Sequence, residues 1–166
     1  MSCSNIILTG FMGSGKSTIG RVLAKELDTY FIDTDSLIES FENRNIKEIF
    51  EKDGEDAFRE MEKRCFRWIK NHVSFTVISV GGGFPVFVPE IKEAGVVIYL
   101  KVDFEDIVKR LSKEEIDKRP LFKDLKKAKE LFLKRDEIYS KLADIVIENR
   151  DLKTTIKKIK EYYASK

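Results

Sequence analysis

Residues 10–17 read Gly-Phe-Met-Gly-Ser-Gly-Lys-Ser and fill the pattern G-x-x-x-x-G-K-[ST] without a mismatch. Glycines at this spacing let a loop turn so that successive backbone N–H groups point at an anion. Lys16 supplies a cation for the outer phosphates of a nucleotide, and the Ser17 hydroxyl is a ligand for Mg²⁺. The pattern therefore predicts a nucleotide site with its metal ion, formed by Gly13, Ser14, Gly15, Lys16, Ser17 and Thr18.

The residues on either side of this loop predict a strand and a helix. Asn5–Thr9 is a short apolar run, typical of a buried parallel strand. After the loop, Ile19, Val22, Leu23 and Leu27 recur at helical spacing. The N-terminus of that helix would add its partial positive charge to the phosphate site. The alternative is a glycine-rich turn without chemical meaning.

Apolar strand-like runs alternate with helical patterns along the rest of the chain. Further strands are predicted at 30–33, 75–80, 96–100 and 143–147, and helices at 36–41, 46–70, 104–111, 125–142 and around 156–159. This alternation predicts a three-layer α/β fold with a parallel sheet. The length of 166 residues suits a single domain over 1–166, without repeats or linkers.

Composition limits the class of protein and its partners. Lys and Arg number 31 against 29 for Asp and Glu, and a net charge of +2 argues against a nucleic-acid binder. Cys3 and Cys65 match no metal spacing and indicate a reducing compartment. No apolar run approaches the roughly 18 residues of a membrane span, and no signal peptide is evident. We expect a cytoplasmic protein without membrane or nucleic-acid partners.

Two carboxylates, Asp33 and Asp35, follow the second predicted strand. Residues two apart on an extended chain point the same way, so both should face one crevice at the carboxyl edge of the sheet. One would help to hold Mg²⁺ through waters, and the other would orient or deprotonate an attacking hydroxyl. The alternative is that both merely cap the following helix.

Three consecutive glycines, Gly81, Gly82 and Gly83, come directly after the third predicted strand. Such a run costs backbone entropy on folding, so we expect a structural or binding requirement for glycine at these positions. We expect it to let a ligand approach the backbone N–H groups closely. The alternative is a tight turn before the Phe84-Pro85 segment.

Two arginines lie on helical faces that suggest a use. Arg135 falls on the apolar face of the predicted helix 125–142, where a guanidinium needs a partner. A ligand carboxylate would satisfy it through two parallel hydrogen bonds. An internal salt bridge or an outward-reaching side chain are the alternatives. Arg59 precedes Glu62 by one helical turn, so Glu62 can orient the guanidinium. Without the other features, Arg59 would be predicted to be a surface residue.

The stretch 112–123, SKEEIDKRPLFK, is mostly polar and has little to bury. We predict a mobile loop that serves as a lid over a nucleotide. Arg119 within it would then reach the transferring phosphate and offset its charge. An ordinary loop arginine is the alternative.

In combination these motifs resemble the shikimate kinase family, in chain order over nearly the whole sequence. The combination is far more specific than the phosphate loop alone. The segments that carry the resemblance are 10–20, 33–35, 49–50, 53–55, 58–59, 81–83, 119–121 and 134–139.

The resemblance implies a reaction and a fold. Family members transfer a phosphoryl group from ATP to the 3-hydroxyl of shikimate, a step towards chorismate and the aromatic amino acids. The implied fold is a nucleoside-monophosphate-kinase-like P-loop domain with a five-stranded parallel sheet of order 2-3-1-4-5. A monomer is expected, with a substrate-binding helical segment at about 34–60 and a lid at about 112–123.

The resemblance also implies residue roles. Asp35 would hold ring hydroxyls and act as the base, and Arg59 and Arg135 would clamp the substrate carboxylate. Lys16 and Arg119 would act on the ATP phosphates during transfer. The remaining implied roles are substrate contacts from Gly81, Gly82 and Gly83, Mg²⁺ binding by Ser17 and Asp33, adenine contact by Arg110, and pocket walls from Phe50 and Phe58.

One departure from the family pattern concerns the pocket edge. Phe84 and Phe87 follow the triple glycine, where smaller residues are common in the family.

A small-molecule kinase such as a gluconate kinase is the alternative within the same class. A GTP-binding switch protein is disfavoured because the sequence has no N-K-x-D segment.

Overall fold

One parallel sheet organises the chain, whose computed structural model describes residues 4–117 and 119–166. The strands are β1 (Asn5–Thr9), β2 (Phe31–Asp33), β3 (Val77–Ser79), β4 (Gly95–Lys101) and β5 (Ile145–Glu148). They pair in the order β2-β3-β1-β4-β5, all parallel. The predicted fold class and strand order are therefore confirmed.

Helices connect the strands and cover the sheet. They are α1 (Lys16–Glu26), α2 (Thr34–Glu42), α3 (Ile46–His72), α4 (Phe84–Phe87), α5 (Phe104–Arg110), α6 (Lys113–Asp117), α7 (Leu125–Leu142) and α8 (Leu152–Ala164). Two 3₁₀-helices, Pro89–Ala94 and Pro120–Lys123, complete the connections.

The central strand β1 is buried along its whole length because both faces of the sheet are covered. Ile7 and its register partners Ile78 and Val97 pack on one face against α3. Ile6 and Leu8 point to the other face and pack against α1 and α8. The continuous apolar run of β1 thus reflects helices on both sides of the sheet.

The long helix α3 consists of two parts. Asn45 begins it with a capping box, in which its side chain and that of Glu48 each accept a backbone N–H. Gly54 then interrupts the helical backbone with φ 85° and ψ 174°, a conformation that favours glycine. This kink sets the direction of the part that carries Glu55 and Arg59.

The stretch 112–123, which was predicted as a mobile loop, contains helical structure. The stretch contains α6 and the second 3₁₀-helix, with Lys118 outside the described residues. Phe122 is buried, and its ring packs edge-on against Phe11 with centroids 6.1 Å apart. Phe122, with the partly buried Ile116 and Leu121, therefore anchors a stretch that is otherwise polar.

Of the two cysteines, Cys65 lies in the core, whereas Cys3 lies outside the described residues. Cys65 is a buried free thiol within α3, and burial raises its pKa to about 12. At neutral pH this thiol is protonated, so it behaves as a small apolar residue of the core.

Candidate active site

The loop 10–15 joins β1 to α1 at the carboxyl edge of the sheet. Gly13 and Gly15 adopt φ angles of 83° and 90°, which only glycine takes without strain. Ser14 is buried between them, and its Oγ has no hydrogen-bond partner within residues 4–117 and 119–166. An orphaned buried hydroxyl beside such a loop is expected where an anion binds.

Lys16 is the first residue of α1, and its side chain folds back over the loop. Its Nζ donates to the carbonyl oxygens of Gly10 and Phe11, at 2.7 and 3.1 Å. Burial lowers the pKa of Lys16 to about 8, although the charges of Asp35 and Asp33 oppose the shift. The ammonium therefore sits where added negative charge would stabilise it.

The two carboxylates reach the site by a different geometry from the one predicted. Asp33 caps α2, and its Oδ1 accepts the N–H of Ser36 at 2.9 Å. Since α2 begins at Thr34, Asp35 lies in the first helical turn rather than on an extended strand. The capping alternative is thus correct for Asp33, while both side chains still line the same cavity.

Asp35 is held in an unusual environment for a carboxylate. Its Oδ1 is buried and has no hydrogen-bond partner among the described residues. Burial, together with the negative charge of Asp33, raises the pKa of Asp35 to about 6. Lys16 and Arg59 are near enough to oppose that shift. A carboxylate of this kind is suited to accept a proton near neutral pH.

A cavity of about 420 Å³ brings most of the predicted site residues together. It extends from the phosphate loop, past the start of α2, to the turn after β3. The predicted residues that line it are Gly13, Gly15, Lys16, Ser17, Thr18, Asp33, Asp35, Gly81, Gly82, Arg110 and Arg119.

Each of the three consecutive glycines borders a different charged side chain. A Cβ atom on Gly81 would lie 2.7 Å from Oδ1 of Asp35. One on Gly82 would lie 3.2 Å from Nη1 of Arg135, and one on Gly83 would lie 2.7 Å from Nη1 of Arg59. Glycine at these positions therefore lets the three side chains approach the turn closely, a reason that the sequence did not reveal.

Arg59 is not a surface residue, because only 11% of its side chain is exposed. Its Nη1 donates to Oε2 of the buried Glu62 at 2.7 Å, as predicted. Its Nε and Nη2 both reach Oε1 of Glu55, at 3.3 and 3.1 Å. The guanidinium also lies over the ring of Phe87, with Cζ 4.0 Å from the ring centroid.

Arg135 faces the same turn from α7. Its Cζ lies 5.9 Å from the ring centroid of Phe11. Across the parts of the chain that are described, no carboxylate forms an ion pair with Arg135, so the alternative of an internal salt bridge is wrong there. A half-buried guanidinium in this situation can take an anionic partner from outside the chain.

The remaining two predicted arginines border the nucleotide end of the cavity. Nη1 of Arg119 is buried without a hydrogen-bond partner in the described structure, and its charge helps to lower the pKa of Lys16. Nη2 of Arg110 donates to the backbone oxygen of Asn149 at 3.2 Å. Arg119 is therefore free to bind a phosphate, whereas Arg110 is tied to the end of β5.

Sequence reasoning missed two polar residues that support the site. Nδ2 of the buried Asn149 donates to the Ser14 carbonyl at 2.8 Å and so braces the phosphate loop. The Tyr139 hydroxyl donates to the Gly82 carbonyl at 2.5 Å, and burial raises the pKa of Tyr139 to about 12. Position was the available signal, since Asn149 follows a strand and Tyr139 lies one helical turn after Arg135.

A glycine-rich loop with a buried lysine in the cavity, and a carboxylate and two arginines around the glycine turn, define the class of P-loop kinases that act on small molecules. Comparison with known proteins narrows the class. The family model for shikimate kinase matches residues 12–164. The chain belongs to the shikimate kinase family.

Relatives in sequence and in structure agree with this placement. A shikimate kinase from Clostridium botulinum is 45% identical over 163 residues, which cover 95% of each protein. The structure of shikimate kinase from Acinetobacter baumannii in complex with shikimate matches with a TM-score of 0.87 and 32% identity, over 98% of this chain and 94% of that one. The Aquifex aeolicus enzyme matches with a TM-score of 0.83 and 34% identity, over 97% and 96%.

Among the residues with a described structure, none forms a helix of sufficient length and apolar character to cross a membrane.

Proposed function

We propose that this chain transfers the γ-phosphoryl group of ATP to the 3-hydroxyl of shikimate, which gives shikimate 3-phosphate and ADP. Membership of the family and the bound shikimate in the Acinetobacter baumannii relative support the substrate. The observation that carries the proposal is the contact of Asp35, Arg135 and Arg59 with three successive glycines beside the phosphate loop. A hydroxyl base and an anion clamp thus share one small turn.

Asp35 is the proposed base. Its raised pKa of about 6 leaves it ionised at neutral pH yet able to accept a proton as the hydroxyl attacks. The buried Oδ1 without a partner is a ready acceptor for a substrate hydroxyl. Attack forms the new oxygen–phosphorus bond, the proton passes to Asp35, and ADP leaves with the bridging oxygen.

Arg135 and Arg59 are the proposed clamp for the substrate carboxylate. Both border the glycine turn, and among the described residues no carboxylate pairs with Arg135. A carboxylate held by planar, bidentate hydrogen bonds would fix the ring so that its hydroxyl faces Asp35. The rings of Phe50 and Phe58, with centroids 5.0 Å apart, supply an apolar wall.

The phosphate loop and Arg119 are the proposed nucleotide site. Backbone N–H groups of residues 13–18 would bind the phosphates, and Lys16 would turn from the loop carbonyls to the outer phosphates. Nη1 of Arg119, unpartnered among the described residues, would stabilise negative charge on the transferring group. Arg110 would lie beside the adenine.

Mg²⁺ fits the residues at this position. Ser17 and Asp33 line the cavity together, and only Oδ1 of Asp33 is used for capping. The described residues contain no group of three His, Cys, Asp or Glu side chains that could hold a metal ion. Mg²⁺ keeps several of its waters and binds phosphates, so a hydroxyl and one carboxylate would be enough protein ligands, and the ion would neutralise phosphate charge when bound. Ser17 directly and Asp33 through water are the proposed ligands.

An assay of acceptors tests the proposal. The protein is incubated with MgATP and, separately, with shikimate, gluconate or a nucleoside monophosphate, and ADP release is followed. Of the three acceptors, we expect only shikimate to give turnover, and phosphorus NMR should identify the product as the 3-phosphate. Faster turnover with gluconate would show that gluconate, not shikimate, is the acceptor. The cytoplasmic location and monomeric state expected from the sequence remain predictions.

A further inference from the structure

The geometry points to Phe87 as a positioning residue that fixes the plane of the Arg59 guanidinium for carboxylate binding. This inference rests on the proposed function, because it needs Arg59 to bind the substrate carboxylate. Phe87 lies on α4, directly after the glycine turn.

The contact between the two side chains is a face-on stack. Cζ of Arg59 lies 4.0 Å from the centroid of the Phe87 ring, compared with 5.3 Å for the ring of Phe58. A guanidinium over an aromatic face is attracted by the negative charge of the ring face. The arginine side chain is only 11% exposed, so little water screens this attraction.

Stacking leaves the edges of the guanidinium available for hydrogen bonds. Nη1 is already bonded to the buried Glu62. The Nε–Nη2 edge is occupied by Glu55, whose side chain is 57% exposed and can be displaced. This arrangement shows that the edge accepts a carboxylate while the ring covers the face. A substrate carboxylate would take the same edge.

The fold holds Phe87 in place by the same turn that admits Arg59. Phe84 is buried in the core and anchors α4, and the Val86 N–H donates to the Gly83 carbonyl at 3.0 Å. Gly83 itself packs against the guanidinium. Phe87 is 39% exposed, so it can be replaced with little effect on the core. Its main contribution is therefore to order Arg59 before the substrate arrives.

The chain offers a matched control for this stack. Cζ of Arg64 lies 4.0 Å from the ring centroid of Phe41, which is 64% exposed. That pair borders a separate apolar cavity between α2 and α3, away from the glycine turn. Phe41→Leu thus removes an equivalent stack without touching Arg59.

The test compares steady-state kinetics of Phe87→Leu, Phe87→Trp, Phe41→Leu and Arg59→Ala. Leucine keeps an apolar contact but has no aromatic face, so Phe87→Leu should raise KM for shikimate by about 3- to 10-fold. Its kcat and its KM for ATP should stay near those of the unchanged protein, because Phe87 touches no reacting atom. Phe87→Trp keeps an aromatic face, so its KM for shikimate should stay near that of the unchanged protein. The same is expected of Phe41→Leu.

Three results would overturn the inference. If KM for shikimate is unchanged in Phe87→Leu but raised in Arg59→Ala, Phe87 does not position Arg59, and the proposed function still stands. An equal rise in Phe87→Trp and Phe87→Leu, or in Phe41→Leu, would show that the aromatic face at position 87 is not responsible. Unchanged KM in Arg59→Ala would overturn both the inference and the proposed clamp.

Discussion

A Cβ atom at position 81 would lie 2.7 Å from Oδ1 of Asp35. The glycine therefore allows the carboxylate to enter a space that any other residue would fill. The same close fit leaves Oδ1 buried and without a partner among the described residues, and burial raises the pKa of Asp35 to about 6. The backbone at Gly81 and the acid–base property of Asp35 are thus parts of one arrangement.

Asp35→Asn should stabilise the folded protein while it abolishes turnover. The folded-state pKa of Asp35 lies above its ordinary value of 3.8, so the unfolded chain loses this proton first as pH rises. The ionised carboxylate then disfavours folding, and the penalty is complete above about pH 6. We expect the variant to gain about 1 to 2 kcal/mol at pH 7.5 and less at pH 4.5 in urea unfolding.

The control for that experiment is Asp33→Asn, whose carboxylate caps α2 and has a hydrogen-bond partner. Since asparagine caps a helix about as well as aspartate, stability at pH 7.5 should change by less than in Asp35→Asn. A loss of stability in Asp35→Asn at pH 7.5 would contradict the burial penalty.

The pH profile of turnover should report the ionisation of Asp35. A base with a pKa of about 6 is protonated in more acidic solution and then cannot accept the hydroxyl proton. We expect kcat/KM for shikimate to fall about tenfold for each pH unit below pH 6. A profile that is flat between pH 5 and 7 would remove Asp35 as the base.

Nucleotide affinity should depend on the protonation of Lys16. Burial lowers the pKa of this ammonium to about 8, and bound phosphates would raise it again. Binding therefore takes up a proton above pH 8, and the affinity for MgATP should weaken as pH rises from 8 to 9. Calorimetric titrations in two buffers of different ionisation enthalpy measure the uptake directly. Lys16→Met should show no uptake, and equal uptake in both proteins would contradict the assignment.

Gly83→Ala should weaken shikimate binding without unfolding the protein. The added Cβ would meet Nη1 and Nη2 of Arg59 at 2.7 and 2.8 Å, and this flexible side chain can move away. Displacement of one arm of the clamp should raise KM for shikimate by about tenfold or more, the scale of a lost charged hydrogen bond. KM for ATP should stay unchanged. An unaltered KM for shikimate would mean that Arg59 does not depend on this turn.

Arg135→Ala and Arg135→Lys should separate charge from geometry in the clamp. Alanine removes the guanidinium beside Gly82, so KM for shikimate should rise by about 100-fold, as for an unpaired buried carboxylate. Lysine keeps the charge but loses the bidentate fork, and should recover only part of that loss. Equal KM values in all three proteins would exclude Arg135 from the clamp.

The family resemblance predicted the order of the strands. Local patterns in the sequence predicted the strands of the sheet and the phosphate loop. The reason is that alternating apolar runs and glycine spacing are set by neighbours close along the chain. Phe122 shows where such reasoning failed. It lies in a mostly polar stretch, and its burial against Phe11 comes from a contact across more than a hundred residues.

The sequence by itself determined where the glycine-rich loop lies, at residues 10–17, and that the strands end at one edge, because these features depend on adjacent residues. Only the tertiary structure decided why three glycines stand together. Asp35, Arg135 and Arg59 come from different helices and converge on that turn, one on each glycine. The spacing and burial of these side chains, and the raised pKa of Asp35, depend on packing between distant segments, which no local pattern encodes.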